Sequence, residues 1–140
     1  LEAFYETDEC FYIVMEFVSG GDVFDRVADH GPFTEAEAAN LMQEIGGAVA
    51  LLHAQGVVHA DIKPENMLLT DDRHVKLVDF GLSCEIAKSD EKSEGTVAYW
   101  APELFDKPQP AKPMDMWALG VVLYVLLAGE HPFDDQGQAS

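Results

Sequence analysis

One stretch of the sequence carries most of the information about the fold: residues 57–69, which read Val57-Val58-His59-Ala60-Asp61-Ile62-Lys63-Pro64-Glu65-Asn66-Met67-Leu68-Leu69. Polar and charged side chains occupy its middle, and an apolar run suited to a short strand lies on each side. A second polar group, Asp79-Phe80-Gly81, follows the largely apolar run 75–78 in the same way. Carboxylates at strand ends beside a core are costly to bury, so these positions predict a functional site.

Phosphoryl transfer is a reaction that needs these residue types. A carboxylate must orient the attacking hydroxyl, magnesium needs oxygen ligands, and a cation must stabilise the transferred phosphate. Asp61, Asn66 and Asp79 offer the oxygens, and Lys63 offers the cation. The alternative interpretation is structural, since Asp61 and Asn66 also suit a hydrogen-bonded turn and Asp79 suits an Asx cap.

The order of these residues resembles the catalytic and magnesium-binding loops of the eukaryotic protein kinases. The matching segments occur in that family's order and at its spacing: His59-Ala60-Asp61, Asn66, Asp79-Phe80-Gly81 and Ala101-Pro102-Glu103. The resemblance covers essentially the whole chain. It implies an α+β, protein-kinase-like fold, with residues 1–18 as the last strands of the small lobe and the hinge. Residues 19–140 would form the mainly helical large lobe through its central buried helix.

The resemblance also implies the role of each site residue. Asp61 would be the catalytic base, Lys63 would act beside the transferred phosphate, and Asn66 and Asp79 would bind Mg²⁺. The residues implied to bind ATP are Met15, Glu16, Val18, Asp22, Lys63, Glu65, Asn66, Leu68 and Asp79. Structural roles are implied for three further residues: His59 and Phe80, which would pack in the interior of the active state, and Asp115, which would anchor the loop.

Two features of the resemblance bear on specificity. The combination of Lys63 and Thr96 resembles the pattern of the serine/threonine kinases rather than that of the tyrosine kinases. The segments 20–26 and 120–133 look most like the calcium/calmodulin-dependent kinase group, which implies protein substrates with arginine upstream of the target Ser or Thr. Calmodulin or another regulator acting outside these residues is the implied partner.

Departures from the family pattern lie near the loop that usually carries an activating phosphate. Ala60 stands where most regulated kinases have the arginine that holds this phosphate. Lys92 occupies about the position of the phosphothreonine, and Asp90, Glu91 and Glu94 already supply negative charge. These substitutions predict an activity that does not depend on phosphorylation of Ser89 or Ser93.

Composition limits the partners and the location. The chain has 26 acidic residues against 8 lysines and arginines, a net charge of -18, which disfavours nucleic acid and anionic membranes. Basic substrates are favoured, although surface acids also serve solubility. Cys10 and Cys84 show neither a disulfide nor a metal spacing, and no apolar stretch reaches the roughly 18 residues of a membrane span. We therefore expect a cytoplasmic protein, with the nucleus as a second location.

Local patterns predict the elements around the site. Residues 10–17 suit a strand, residues 22–30 a short helix, and Thr34 with Glu37 a capping box that starts a long helix ending before Gly56. Three short strands are expected at 57–58, 67–69 and 75–78, and a surface loop at 84–95. Residues 116–128 are apolar on all sides, which predicts a helix buried within a lobe.

The sequence also leads us to expect a fragment, truncated at both ends. A glycine-rich loop, a strand lysine and a helix glutamate are expected upstream of Leu1. Without them, these residues alone are expected to bind ATP poorly and to leave the central helix uncovered. Two other functions compete with an active kinase: a pseudokinase used as a scaffold or allosteric module, and a small-molecule phosphotransferase of the aminoglycoside kinase type.

Overall fold

The structure is a computed structural model that describes residues 1–86, 94–106 and 109–133. The first element is an antiparallel hairpin of β1 (Ala3–Glu6) and β2 (Phe11–Val14), in which Ala3 pairs with Val14. β2 confirms the centre of the strand predicted over residues 10–17. The chain then runs without regular structure into the helices.

Two helices follow, each with a side-chain cap at its start. α1 (Val23–His30) begins where Asp22 accepts a hydrogen bond from the backbone nitrogen of Asp25 at 2.8 Å. α2 (Glu35–Ala54) begins with the predicted capping box, because Thr34 and Glu37 satisfy each other's backbone donors. Both predicted helices are confirmed.

Four very short strands form two antiparallel pairs beside α2. β3 (Val57–Val58) pairs with β6 (Cys84–Glu85), and β4 (Met67–Leu69) pairs with β5 (Val75–Leu77). The three predicted strands are confirmed, but the loop predicted from residue 84 is wrong at its start. β6 forms there because β3 has backbone groups that need a partner, which no local pattern reveals.

The last elements are α3 (Glu103–Asp106) and α4 (Lys112–Ala128). α4 starts four residues before its predicted beginning, with Pro113 in its first turn, where a missing N–H is tolerated. Only one face of α4 is buried: Met116 is 58% exposed, and Leu123, Tyr124 and Leu127 are also exposed. The prediction of a helix buried on all sides is therefore wrong for the described residues, whereas the expected uncovered face is present.

The main core lies between α2 and α4 and extends to the β4–β5 pair. Its buried members include Ile45 and Val49 of α2 and Val122 and Leu126 of α4. The loop between β3 and β4 is fixed to this core by Ile62, which is only 1% exposed. The core thus holds in place the polar residues on either side of Ile62. Among the described residues, no helix combines the length and apolarity needed to cross a bilayer.

Candidate active site

The loop between β3 and β4 is anchored from below by Asp115, a carboxylate of α4 that is 1% exposed. Its Oδ2 accepts a hydrogen bond from the His59 backbone nitrogen, and its Oδ1 accepts one from the Ala60 backbone nitrogen, each at 3.0 Å. The Nε2 atom of His53, in the last turn of α2, lies 2.8 Å from the same Oδ2. The predicted anchoring role of Asp115 is confirmed, and His53 is a partner that the sequence did not suggest.

The anchored loop carries Asp61, whose carboxylate is surrounded by donors. Lys63 Nζ lies 2.8 Å from Asp61 Oδ2, and Asn66 Nδ2 donates to the same oxygen at 3.0 Å and to the Asp61 backbone oxygen at 2.8 Å. The structure therefore brings three predicted site residues, Asp61, Lys63 and Asn66, into direct contact.

Thr96 completes this network from a segment far along the chain. Its backbone nitrogen donates to Asp61 Oδ1 at 3.0 Å, and its hydroxyl donates to the same oxygen at 2.9 Å. Lys63 Nζ donates to the Thr96 hydroxyl oxygen at 2.8 Å. The sequence pointed to Thr96 only as a mark of specificity, so its contact with the carboxylate is a new feature of the site.

The surroundings of Asp61 determine its charge. Burial by itself raises the pKa of the Asp61 carboxyl, but hydrogen bonds from Lys63 and Thr96 outweigh burial, and the net effect lowers the pKa. Asp61 is therefore ionised at neutral pH. An ionised carboxylate beside a lysine can orient a hydroxyl group and accept its proton.

His59 is fully buried directly before this loop. Asp61 donates its backbone N–H to His59 Nδ1 at 3.3 Å, so Nδ1 is an acceptor; Nε2 then carries the proton and donates to the Val78 carbonyl at 3.1 Å. Burial lowers the pKa of the His59 imidazole. His59 is thus neutral, and protonation would place a donor against the Asp61 N–H.

Acidification from pH 7 to pH 5 is expected to destabilise the folded protein through His59. The folded-state pKa lies below the ordinary value of about 6.5, so unfolding takes up a proton in this range and stability falls as the pH drops. The contribution is at most about 1.4 kcal/mol per pH unit. Denaturant unfolding of His59→Gln should show a shallower pH slope, while Gln43→Ala, an exposed change on α2 that removes no titrating group, should keep the wild-type slope. Equal slopes in all three proteins would contradict this assignment.

Asp79 lies at the end of the neighbouring strand pair and is exposed. Its Oδ1 accepts a hydrogen bond from the Gly81 backbone nitrogen at 3.2 Å, which is the local turn that the structural interpretation expects. The two polar loops are joined where the Val78 nitrogen donates to the Asn66 backbone oxygen at 3.0 Å. The Phe80 ring lies 5.0 Å from that of His59, but Phe80 is 50% exposed, so its predicted packing in the interior is not present in the described residues.

Backbone conformation sets the site apart from the rest of the fold. In the described ranges, positive φ angles outside glycine occur at Ala60 (69°), Asp79 (60°) and Arg73 (66°). Two of these three residues belong to the predicted catalytic and magnesium loops, and such conformations cluster at functional sites. Gly95, at φ 134°, passes so close that a Cβ on it would lie 2.8 Å from the Ala60 carbonyl oxygen. This close approach places Thr96 within hydrogen-bond distance of Asp61.

The predicted nucleotide-binding residues form a second group. Met15 and Glu16 are exposed beyond the end of β2, and Val18 is partly buried. Asp22 forms an isolated β-bridge with Leu68 of β4, so these two predicted contacts are neighbours. Glu65 is exposed in the short turn before β4.

Most of the loop that usually carries an activating phosphate cannot be compared with its prediction. The activation-loop positions Ser89, Asp90, Glu91, Lys92 and Ser93 lie outside the described residues. An activity that does not depend on phosphorylation of Ser89 or Ser93 therefore remains a prediction.

Among the described residues, no group of three or more His, Cys, Asp or Glu side chains is arranged to hold a metal ion.

Comparison with known proteins gives a consistent result. The protein kinase domain family matches residues 1–140. Calcium/calmodulin-dependent protein kinase type 1B of Rattus norvegicus is 41% identical over 140 residues, which cover 97% of this chain and 41% of the relative. Myosin light chain kinase A of Dictyostelium discoideum is 43% identical over 95% of this chain and 47% of its own length. Serine/threonine-protein kinase PEPKR2 of Arabidopsis thaliana is 44% identical over 135 residues, which cover 95% of this chain and 28% of the relative. The chain therefore spans less than half the length of these relatives.

Proposed function

Because this chain belongs to the protein kinase family, we propose that it is the catalytic part of a serine/threonine kinase that transfers the γ-phosphate of ATP to protein hydroxyl groups. The observation that carries the proposal is the Asp61 carboxylate, held ionised among Lys63, Asn66 and Thr96. One relative supports the serine/threonine class, since its name describes a serine/threonine-protein kinase.

In this proposal, Asp61 orients the substrate hydroxyl and accepts its proton. Lys63, 2.8 Å from Asp61, stabilises charge on the transferred phosphate. Asn66 uses its Nδ2 group for both bonds to Asp61, so its side-chain oxygen is the atom available for a cation. Asn66 and Asp79 would hold Mg²⁺, whose oxygen preference fits an amide and a carboxylate. When bound, Mg²⁺ neutralises charge on the ATP phosphates.

The hinge region, which is the segment between β2 and α1, would form the rest of the ATP site. Backbone groups of Glu16 and Val18 would contact adenine, Met15 would line the pocket, and Leu68 would close it from below. Asp22 would lie near the ribose, a role supported by its bridge to Leu68. Glu65 is proposed as a further residue of this site because it lies exposed in the turn that contains Asn66.

We further propose basic protein substrates and a calcium-dependent regulator. The net charge of -18 and the Asp22 carboxylate, which the resemblance places near a basic substrate side chain, favour a target with arginine near the Ser or Thr. Calmodulin is the proposed regulator because one group of relatives is named for it. A cytoplasmic or nuclear location is part of the same proposal.

The test is transfer of radiolabelled phosphate from MgATP to arginine-containing Ser and Tyr peptides by the full-length protein, with and without calcium and calmodulin. We expect labelling of the Ser peptide and a decrease of at least about 100-fold in Asp79→Ala, because a magnesium ligand contributes several kcal/mol. Asp29→Ala, an exposed change on α1, is the control that should match wild type. If the folded protein still binds its partners but labels neither peptide, the pseudokinase scaffold would replace the active kinase as the proposed function.

A further inference from the structure

The segment between β2 and α1 is fixed to the β4–β5 pair although it has no regular structure of its own. The Gly20 nitrogen donates to the Leu69 oxygen at 2.9 Å, and the Leu69 nitrogen donates to the Gly21 oxygen at 2.8 Å. A Cβ on Gly20 would lie 2.3 Å from the Leu69 oxygen, so glycine is required for this approach. The backbone contact fixes only the end of the segment nearest α1.

Two side-chain contacts fix the rest of the segment. Glu16 Oε1 lies 2.5 Å from Lys76 Nζ of β5, and the Ser19 hydroxyl donates to Asp71 Oδ1 at 2.6 Å. The partners are 60 and 52 residues apart in sequence.

The Glu16–Lys76 pair lies where it can affect nucleotide binding. Lys76 is paired with Leu68 in the β4–β5 register, and directly opposite residues of antiparallel strands project from the same face. Leu68 is proposed to close the adenine pocket from below, and the Glu16 backbone is proposed to contact adenine. The ion pair therefore connects the residue proposed to contact adenine with the strand pair that carries Leu68.

We propose that Lys76 is a positioning residue for ATP, which holds the Glu16 backbone at the correct distance from Leu68. This inference rests on the proposed kinase function. Neither charge is buried, since the Lys76 side chain is 41% exposed and that of Glu16 is 60% exposed. An exposed ion pair has a modest effect that salt weakens, so the consequence is a change in KM for ATP rather than a loss of activity.

The experiment compares steady-state kinetics of the full-length protein and its Lys76→Glu variant at low salt. Repulsion between the new glutamate and Glu16 is expected to raise KM for ATP about three- to fivefold, with kcat and the peptide KM unchanged. Lys76→Arg should behave as wild type. The double variant Glu16→Lys with Lys76→Glu restores the pair and should bring KM for ATP back to within about twofold of wild type.

Arg73→Glu is the matched control, because it makes the same charge change on the same hairpin but faces Glu37 at 4.0 Å instead of the hinge. Its KM for ATP should equal that of wild type. A merely structural role of Lys76 would lower the melting temperature without a selective change in KM, and failure of the double variant to recover would likewise overturn the inference.

A wild-type protein that transfers phosphate while Lys76→Glu keeps the wild-type KM for ATP would overturn the inference and leave the proposed function intact. A wild-type protein that binds ATP without transfer would overturn the proposed function instead. In that case calorimetric affinity for ATP tests the inference, and Lys76→Glu should bind about three- to fivefold more weakly. Absence of ATP binding by the folded protein would overturn both.

Discussion

Replacing Asp61 with asparagine is expected to lower kcat for peptide phosphorylation by about 10²- to 10⁴-fold. The carboxylate is held ionised by Lys63 and Thr96, and an amide at the same position cannot accept the proton of the substrate hydroxyl. KM for ATP should change little, because the nucleotide contacts are proposed for other residues. The measurement is steady-state phosphate transfer by the full-length protein.

Two controls separate chemistry from folding in this experiment. The amide group that Asp61→Asn introduces would face donors from Thr96, so the melting temperature of this variant must be measured beside its kinetics. Asp106→Asn, an exposed change in α3, should keep wild-type kcat. A folded Asp61→Asn protein with more than about a tenth of wild-type kcat would show that Asp61 is not the catalytic base.

Contacts between residues close together in the chain were the easiest to anticipate from the sequence. Asp61, Lys63 and Asn66 lie within one loop, and the resemblance implied roles in one site for all three, which fits the contacts that Lys63 and Asn66 make with Asp61. The cap of α2 was predictable for the same reason, because Thr34 and Glu37 are three residues apart. Local geometry decides such contacts before the fold does.

Contacts made by tertiary structure were less predictable. Thr96 meets Asp61 across 35 residues, and His53 meets Asp115 across 62, with no pattern in the sequence to pair them. The uniform apolarity of α4 predicted burial on every side, yet the described chain covers only one face. Hydrophobic pattern shows which surfaces favour burial, but not which part of a protein covers them.

The anchor beneath the catalytic loop leads to the second large effect. Asp115→Ala is expected to lower the free energy of unfolding by about 2–5 kcal/mol, because it leaves the buried backbone N–H groups of His59 and Ala60 without acceptors. His53 loses its partner as well. The measurement is denaturant unfolding of the full-length protein at neutral pH.

Asp115→Asn tests whether the cause is the lost acceptors or the lost volume. Asparagine keeps one side-chain oxygen, so it can accept from only one of the two N–H groups and places a donor against the other. We expect its destabilisation to be smaller than that of alanine but clearly measurable, and Asp106→Asn, an exposed change in α3, to be nearly neutral. Because the same N–H groups fix the backbone before Asp61, both Asp115 variants should also lower kcat. A destabilisation below about 0.5 kcal/mol in Asp115→Ala would mean that the loop is held by Ile62 and the core alone.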